Sequence, residues 1–392
     1  MYKLTFTPTS FTGWRSLAKL PEEIKRLQAT KILIVTDPFL HKIGITNAIE
    51  KPLQEIGCTI EIYTEVVPEP PLAIGEKLVE FTRKHQFDLV IGLGGGSALD
   101  LAKIAAVLSA HDGNVRDYLN LTGSKTLQEK GLPKILIPTT SGTGSEVTNI
   151  AVLSLETTKD VITHDYLLAD VAIVDPELTV SLPPNVTAAT GIDALTHAIE
   201  AYVSKNANPV TDALAIKAIQ LISSSIRIAV KDGNDKMARS DMSYGSYLAG
   251  LAFFNAGVAG VHALAYPLGG QFHIAHGDSN AVLLPYVMGY IRQSCEARMK
   301  DILEAMHISA DGLSQEEASY KCIEALGHLV KDVEIPLSLQ GFNIPEDALE
   351  LLTEDATKQS RLLARSPMVL ERDDIFTIYK AAFNGIVTEP SK

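Results

Sequence analysis

The sequence predicts an α/β domain built on an open, mostly parallel sheet over residues 1–182, followed by an all-helical domain over residues 183–392. Three observations lead there. Short apolar runs rich in Ile, Leu and Val recur through the first half without polar alternation. Helical segments separate them. After Leu182-Pro183-Pro184 the strand signals nearly vanish.

Strands are expected at 31–36, ending at Asp37-Pro38, and more weakly at 60–63. Residues 87–93 run straight into glycines, 134–138 end in a Thr/Ser/Gly cluster, and 171–174 end at Asp175-Pro176. Near-continuous apolar strands suit a sheet buried on both faces. Helices are expected over 74–84 and 99–109, and strand-helix-strand repetition implies parallel pairing. In the second half, Ala215, Ile219, Ile222 and Ile226 fall at helical spacing, as do Cys322, Leu326, Val330 and Val333.

The chain has 392 residues, and ~150 residues per domain gives two domains or three. Hydrophobic residues make up 46% and charged residues 21%, which excludes a disordered chain. Lys and Arg total 34 against 47 Asp and Glu, a net charge of −13 that argues against nucleic-acid or anionic-membrane partners. Three widely spaced cysteines, Cys58, Cys295 and Cys322, fit a reducing, cytoplasmic setting and no thiolate metal site. The N-terminal residues show no charged segment followed by an apolar one, so no signal peptide is expected. Residues 242–273 contain no Asp, Glu, Lys or Arg, yet hold six glycines, Pro267 and His262. They read as buried helix and turn, not as a membrane span.

Two loops carry phosphate-binding chemistry. Gly92-Leu93-Gly94-Gly95-Gly96-Ser97 joins a buried strand to a helix that includes Asp100 and Lys103. Glycines admit a ligand close to the backbone, and a helix N-terminus offers free N–H groups and a positive dipole. Ser97 stands where G-x-G-x-x-G has its last glycine, so the Rossmann argument transfers loosely. The second loop, Pro138-Thr139-Thr140-Ser141-Gly142-Thr143-Gly144-Ser145-Glu146, also follows a strand and is rich in hydroxyls. Together the loops favour a dinucleotide site. Asp37 ends the first clear strand. A carboxylate there can bond ribose hydroxyls and repel a 2′-phosphate, but Asp37 before Pro38 equally suits a helix N-cap.

Thr190-Gly191-Ile192-Asp193-Ala194-Leu195-Thr196-His197-Ala198-Ile199-Glu200 opens a helix on this reading. Asp193 and His197 are four apart and share a face, which suits a divalent metal. Thr190 and Asp193 also fit a capping-box spacing. His262, His273 and His276 follow in the same apolar domain, and two of these three would complete a four-ligand site.

Taken together, these segments resemble the iron-containing (group III) alcohol dehydrogenase family over nearly the whole chain. The resemblance rests on 94–103, 138–146, 189–200 and 261–270, followed by His276-Gly277, in family order. It implies a dehydroquinate-synthase-like fold with the site in the cleft between the domains. It also implies metal ligands Asp193, His197, His262 and His276. Gly94, Gly95, Gly96, Ser97 and Asp100 match the pyrophosphate loop and its helix, and Thr139, Thr140, Thr143 and Ser145 the second cofactor loop. Lys159 matches a lysine that reaches the nicotinamide-side ribose, and Asp37 sits where NADP is often rejected.

Three departures from the family pattern stand out. Tyr266 replaces a histidine commonly assigned to proton relay, and at a pKa of ~10 it is a poor base, which turns attention to His273. The usual Pro-Asn-Pro turn reads Pro68-Glu69-Pro70, and Asp278 and Ser279 stand where small apolar residues are usual. The activity implied is reversible hydride transfer between a small primary alcohol or diol and NAD, with Fe2+ as the usual ion and Zn2+ compatible with the ligands. A polyol or hydroxy-acid dehydrogenase is the nearest alternative, and a zinc hydrolase without nicotinamide a remote one. Phe253 and Phe254 are candidates for a pocket wall or for core. The family also implies a homodimer or higher homo-oligomer, with a strand near 4–7 crossing to a partner.

Overall fold

The computed structural model describes residues 1–156 and 159–387. They group into two compact units, Thr5–Val180 and Ser181–Lys392, with Met1–Leu4 belonging to the second; residues 388–392 lie outside the described residues.

In the first unit the strands are β1 (Ser10–Thr12), β2 (Lys31–Val35), β3 (Thr59–Tyr63), β4 (Leu89–Gly94), β5 (Lys134–Pro138), β6 (Ile150–Ser154), β7 (Lys159–Thr163) and β8 (Val171–Val174). Six form one parallel sheet in the order β1-β8-β5-β4-β2-β3. Helices α1 (Leu20–Arg26), α2 (Pro38–Lys42), α3 (Asn47–Glu55), α4 (Leu72–His85) and α5 (Gly96–Leu108) accompany it. The expected parallel sheet is therefore present. Residues 4–7, expected as a strand crossing to a partner, form no strand within the single chain, whose edge strand lies at Ser10–Thr12. The antiparallel pair β6–β7 was not foreseen.

Successive residues of each strand serve opposite faces. Ile32, Ile34, Leu89, Ile91, Ile135 and Ile173 join Leu20, Ile24, Ile49 and Leu53 in one core layer. Leu33, Val35, Val90 and Leu136 join Leu78, Leu99, Leu101 and Ala102 in the other. This two-sided burial removes the polar alternation from the strands. Helix α5 lies unusually close to the sheet: a Cβ on Gly92 would sit 2.8 Å from the Ala102 Cβ and 2.9 Å from the Leu136 Cδ2. The glycine lets the start of α5 rest on β4 at the sheet's C-terminal edge, where the phosphate-type loop begins.

The second unit is helical: α6 (Pro184–Val203), α7 (Pro209–Lys231), α8 (Lys236–Ala256), α9 (Gly260–Phe272), α10 (His276–Ile291), α11 (Glu296–Ala305), α12 (Gln315–Asp332), α13 (Leu349–Thr357), α14 (Ser360–Leu363) and α15 (Arg372–Asn384). One continuous core unites them, with α6 packed against α7, α8 and α10. Helix α7 is long and apolar enough to cross a membrane. Its Ala215, Ile219, Ile222 and Ile226 nevertheless lie in this core. The uncharged stretch 242–273 forms the end of α8, a turn and α9, and the two helices are bent by 105°.

One local expectation is corrected. Thr190 does not cap a helix. Helix α6 starts two turns earlier at Pro184, with proline suited to a first turn, and the Thr190 hydroxyl donates to the Val186 carbonyl at 2.8 Å. The motif 190–200 is mid-helix, so Asp193 is not an N-terminal carboxylate.

Candidate functional site

Helix α6 carries Asp193, His197 and Glu200 at i, i+4 and i+7, along one face. His262 sits in the first turn of α9, just past the bend, and His276 is the first residue of α10. These elements bring Asp193, His197, His262 and His276 together, with one ligand-type atom from each within 4.8 Å of the others. The Asp193 Oδ1 lies 3.9 Å from His197 Nε2, 3.8 Å from His262 Nε2 and 3.7 Å from His276 Nε2. Of the three later histidines, the structure gathers His262 and His276. His273 is exposed and ends α9 in a left-handed conformation, φ 54°.

Burial works against the Asp193 charge, but the facing imidazoles of His197, His276 and His262 and the Asn280 amide outweigh it. Its carboxyl is held below the ordinary range. His276 is the most open of the four, its side chain 28% exposed. The rings are layered: Phe253 stacks on His197 at 4.2 Å, and His197 on His262 at 4.6 Å. Phe253 thus serves as a flat apolar backing for His197, while Phe254 is half-buried. The Tyr266 ring lies 5.8 Å from His276, one turn of α9 after His262.

The donor set fits a divalent ion. Three imidazole nitrogens and one carboxylate oxygen are borderline ligands suited to iron or zinc. The Asn280 Nδ2 sits among them, 2.7 Å from Asp193 Oδ1, 3.2 Å from His262 Nε2 and 3.3 Å from His276 Nε2. Its Oδ1 is buried with no hydrogen-bond partner among the described residues. An N–H donor aimed at three acceptors marks a point where positive charge is favoured. Asn280 and Glu200 were not assigned from sequence. An amide four residues after His276 and a glutamate three after His197 are consistent with that helical face, but their spacing alone is too common to point to a role.

Asp278 stands in the first turn of α10, and burial raises its carboxyl. Ser279 is buried, with its hydroxyl on the Ile274 carbonyl.

In the other unit, β4 ends at Gly94 and Gly95 precedes α5 without a side-chain cap. The second loop folds against this turn. A Cβ on Gly96 would meet the Thr143 Cγ2 at 2.8 Å, and one on Gly95 the Thr140 Cγ2 at 3.5 Å. Thr139 donates its N–H to the Gly94 carbonyl. The loops expected to work together are in direct contact. Ser97 Oγ accepts the Glu69 N–H at 3.1 Å. Ser145 donates its hydroxyl to Asp100 Oδ1 at 2.6 Å, while Asp100 Oδ2 accepts the Val152 N–H at 2.9 Å. The Lys103 Nζ donates to Asp100, Thr148 and the Ile150 carbonyl. Asp100 thus ties α5 to the second loop and β6. Lys159 Nζ lies 2.9 Å from Glu69 Oε1, and Glu69 adopts φ 49°.

The capping reading of Asp37 has a structural counterpart. Its Oδ1 accepts the N–H groups of Phe39 and Leu40 at 2.9 Å and caps α2. Its Oδ2 lies 3.8 Å from where a Cβ on Gly94 would be, facing the glycine turn.

Comparison with known proteins bears on all of this. Residues 7–176 match the family model described as iron-containing alcohol dehydrogenase, and residues 187–383 match that of the Fe-containing alcohol dehydrogenase family, C-terminal. The chain is 68% identical over 390 residues to long-chain-alcohol dehydrogenase 1 of Geobacillus thermodenitrificans, covering 100% of this chain and 99% of that protein. It is 40% identical over 378 residues to alcohol dehydrogenase 4 of Saccharomyces cerevisiae, covering 96% and 97%. The crystal structure of a 1,3-propanediol oxidoreductase superposes with a TM-score of 0.94 at 37% identity, covering 98% of this chain and 100% of that one.

The second loop contains one titrating group of note. Burial raises the Glu146 carboxyl to about 7, against a smaller opposing pull from its own backbone N–H and Lys103. A carboxyl raised above its unfolded value of ~4.3 contributes stability that is full below that value and lost as pH rises through about 7. The loss is on the order of 3 kcal/mol. Glu146→Gln is expected to flatten this part of the pH profile, so that Tm measured between pH 4.5 and 7.5 declines less than in the unsubstituted protein. Parallel profiles for the two proteins would remove Glu146 as the cause.

Proposed function

The chain belongs to the iron-containing alcohol dehydrogenase family, and from that premise we propose that its preferred substrates are long-chain primary alcohols and the corresponding aldehydes. The enzyme is an NAD-linked alcohol dehydrogenase, and its family uses NAD and iron. The observation that carries the activity is the buried cluster of Asp193, His197, His262 and His276, which would hold the ion. The substrate class is supported by the 68% identity to a long-chain-alcohol dehydrogenase. It is further supported by the absence of charged side chains over 242–273, the stretch that carries His262, Phe253 and Tyr266. The stretch itself offers an alkyl chain no charged side chain, and the positive group packed against it is the Arg365 guanidinium beside Gly257.

When bound, the ion supplies Lewis acidity toward the alcohol oxygen, and the nicotinamide accepts hydride. The protein's own contributions are positional. Residues 183–392 hold the ion, and residues 1–182 hold NAD. Gly94, Gly95, Gly96 and Ser97 present backbone N–H groups to the pyrophosphate. Thr139, Thr140, Thr143 and Ser145 flank it, with Asp100 bracing the second loop. Lys159 serves the nicotinamide-side ribose and Asp37 the adenosine ribose. Tyr266, beside His276, hydrogen-bonds the substrate, and the exposed His273 passes the proton to solvent. Three free cysteines support a cytoplasmic setting, and a homodimer or higher homo-oligomer is the assembly we favour.

Metal-stripped protein repleted anaerobically with Fe2+ is expected to regain NAD-dependent oxidation of primary alcohols. Across a chain-length series, kcat/KM is expected to rise about fourfold per added methylene until the apolar site is filled, since each buried CH2 contributes ~0.8 kcal/mol. A maximum at ethanol or 1,3-propanediol would remove the long-chain assignment, and turnover independent of metal would remove the ion from the reaction. His276→Ala is expected to lose turnover and metal retention while NADH still binds; full metal content in that variant would exclude His276 as a ligand. Asp37→Ser keeps a capping hydroxyl and removes the charge. It is expected to raise NADPH use relative to NADH by on the order of tenfold, because a like-charge contact of that kind costs at least ~1.4 kcal/mol. An unchanged ratio would leave Asp37 as a helix cap alone.

A further inference from the structure

We propose that Glu200 is the positioning residue for the metal ligand His262, fixing its ring so that Nε2 alone is free for the ion; this rests on the ligand assignment above. Glu200 is 1% exposed and lies on α6, two turns after Asp193 and one after His197. Its Oε2 is 2.6 Å from His262 Nδ1. Its Oε1 accepts the Val261 N–H at 2.6 Å, and Oε2 also receives the His262 N–H at 3.4 Å.

Helix α9 begins at Gly260 behind Ala259, which supplies no side-chain cap. Glu200 therefore satisfies first-turn N–H groups of a helix distant in sequence, where a carboxylate is favoured by the dipole. Capping alone asks nothing of the His262 ring. The short contact to Nδ1 does something further. Both Glu200 oxygens already accept backbone N–H groups, so the contact assigns the proton to Nδ1 and leaves Nε2 its lone pair. A second contact agrees from the other side of the ring. The Asn280 amide, 3.2 Å from His262 Nε2, is a donor and needs an acceptor there. The same Nε2 faces Asp193 Oδ1. A carboxylate behind a ligating imidazole also raises the basicity of the ring nitrogen that binds, and loss of such a partner commonly costs 10–100-fold in metal affinity.

The single helix α6 then does three things along one face. Asp193 and His197 supply ligand atoms directly, and Glu200 sets a ligand contributed by another helix. Glu200→Gln keeps the shape but replaces one acceptor oxygen with an N–H2 group. It cannot accept from both His262 Nδ1 and Val261 N–H, because one of them would face a donor.

The test is a double-mutant cycle on Zn2+ affinity, measured by competition with a chromophoric chelator on the full-length apoprotein. Four proteins are compared: unsubstituted, Glu200→Gln, His262→Ala and the double variant. Glu200→Gln is expected to weaken Zn2+ binding 10–100-fold. His262→Ala is expected to weaken it more, and the double variant should lie within about twofold of His262→Ala, because Glu200 acts through that ring. Equal factors with and without His262 would make Glu200 a general support and overturn the proposal, as would a Glu200→Gln affinity within about twofold of the unsubstituted protein. If His262→Ala alone leaves affinity unchanged, the ligand assignment itself fails, a result distinct from additivity. A second measurement needs no folded Glu200 variant. In 15N-histidine-labelled apoprotein, the His262 resonances, identified by their absence in His262→Ala, are expected to show the Nδ1-protonated tautomer; an Nε2-protonated ring would overturn the proposal.

Discussion

The buried carboxylate of Asp193 is the constraint on which the helical unit is organised. A charge at 2% exposure in a core of Ala, Leu and Ile is untenable alone. Every element around it answers that cost. Helix α6 sends His197 to the same side one turn later, the bend after α8 delivers His262, and α10 opens with His276 and returns Asn280 one turn on. The arrangement is one of acceptor lone pairs facing a common point, with a single amide N–H2 group donating to it. Such a cluster is electrostatically incomplete without a cation, which explains why an otherwise apolar domain tolerates so many polar groups at one place.

The α/β unit depends on a different constraint, close backbone approach. Gly92 allows α5 to lie on β4, and Gly96 allows Thr143 to lie on the first loop. Once both loops share one edge, their positions must be fixed relative to each other. The buried Asp100–Lys103–Ser145 network does this from beneath. It uses side chains on α5 to hold a loop about forty-five residues away, leaving the start of α5 without a side-chain cap.

Much of this was legible in sequence, for physical reasons that also show where legibility ends. The central strands announced themselves because burial on both faces removes polar alternation. The pair β6–β7 did not, because β7 opens with Lys159 and Asp160, whose charges read as turn although both are buried. Strand β1, three residues long, carries too little pattern to detect. The cluster residues Asp193 and His197 declared themselves as candidate ligands by their spacing on one helix. Choosing His262 and His276 over His273 required the resemblance, since spacing treats the three alike. In the structure His273 takes the left-handed conformation that terminates α9, which turns its side chain to solvent. Asp37 was offered two roles, and its two oxygens face two different groups. Glu200 lies within the helix motif but has no partner visible in sequence, because a residue sixty-two positions away supplies it.

The departures from the family pattern acquire meaning at this level. Tyr266 stands one turn from His262 with its ring near His276, where a neutral phenol can donate a hydrogen bond without adding charge to the cluster. A histidine at that place would become a fourth imidazole near the cation and compete for the same proton and metal equilibria. With tyrosine there, the uncharged character of 242–273 continues up to the metal ligands. An ion there would be held by one carboxylate and three neutral rings, with the Arg365 guanidinium against Gly257 as a second positive group beside the stretch. The long-chain primary alcohol proposed above would set its hydroxyl at that ion and its alkyl tail along the uncharged stretch. Neither placement requires a charged substrate, and burial of Asp278, which raises its carboxyl, limits the one acidic group at the start of α10 from opposing it.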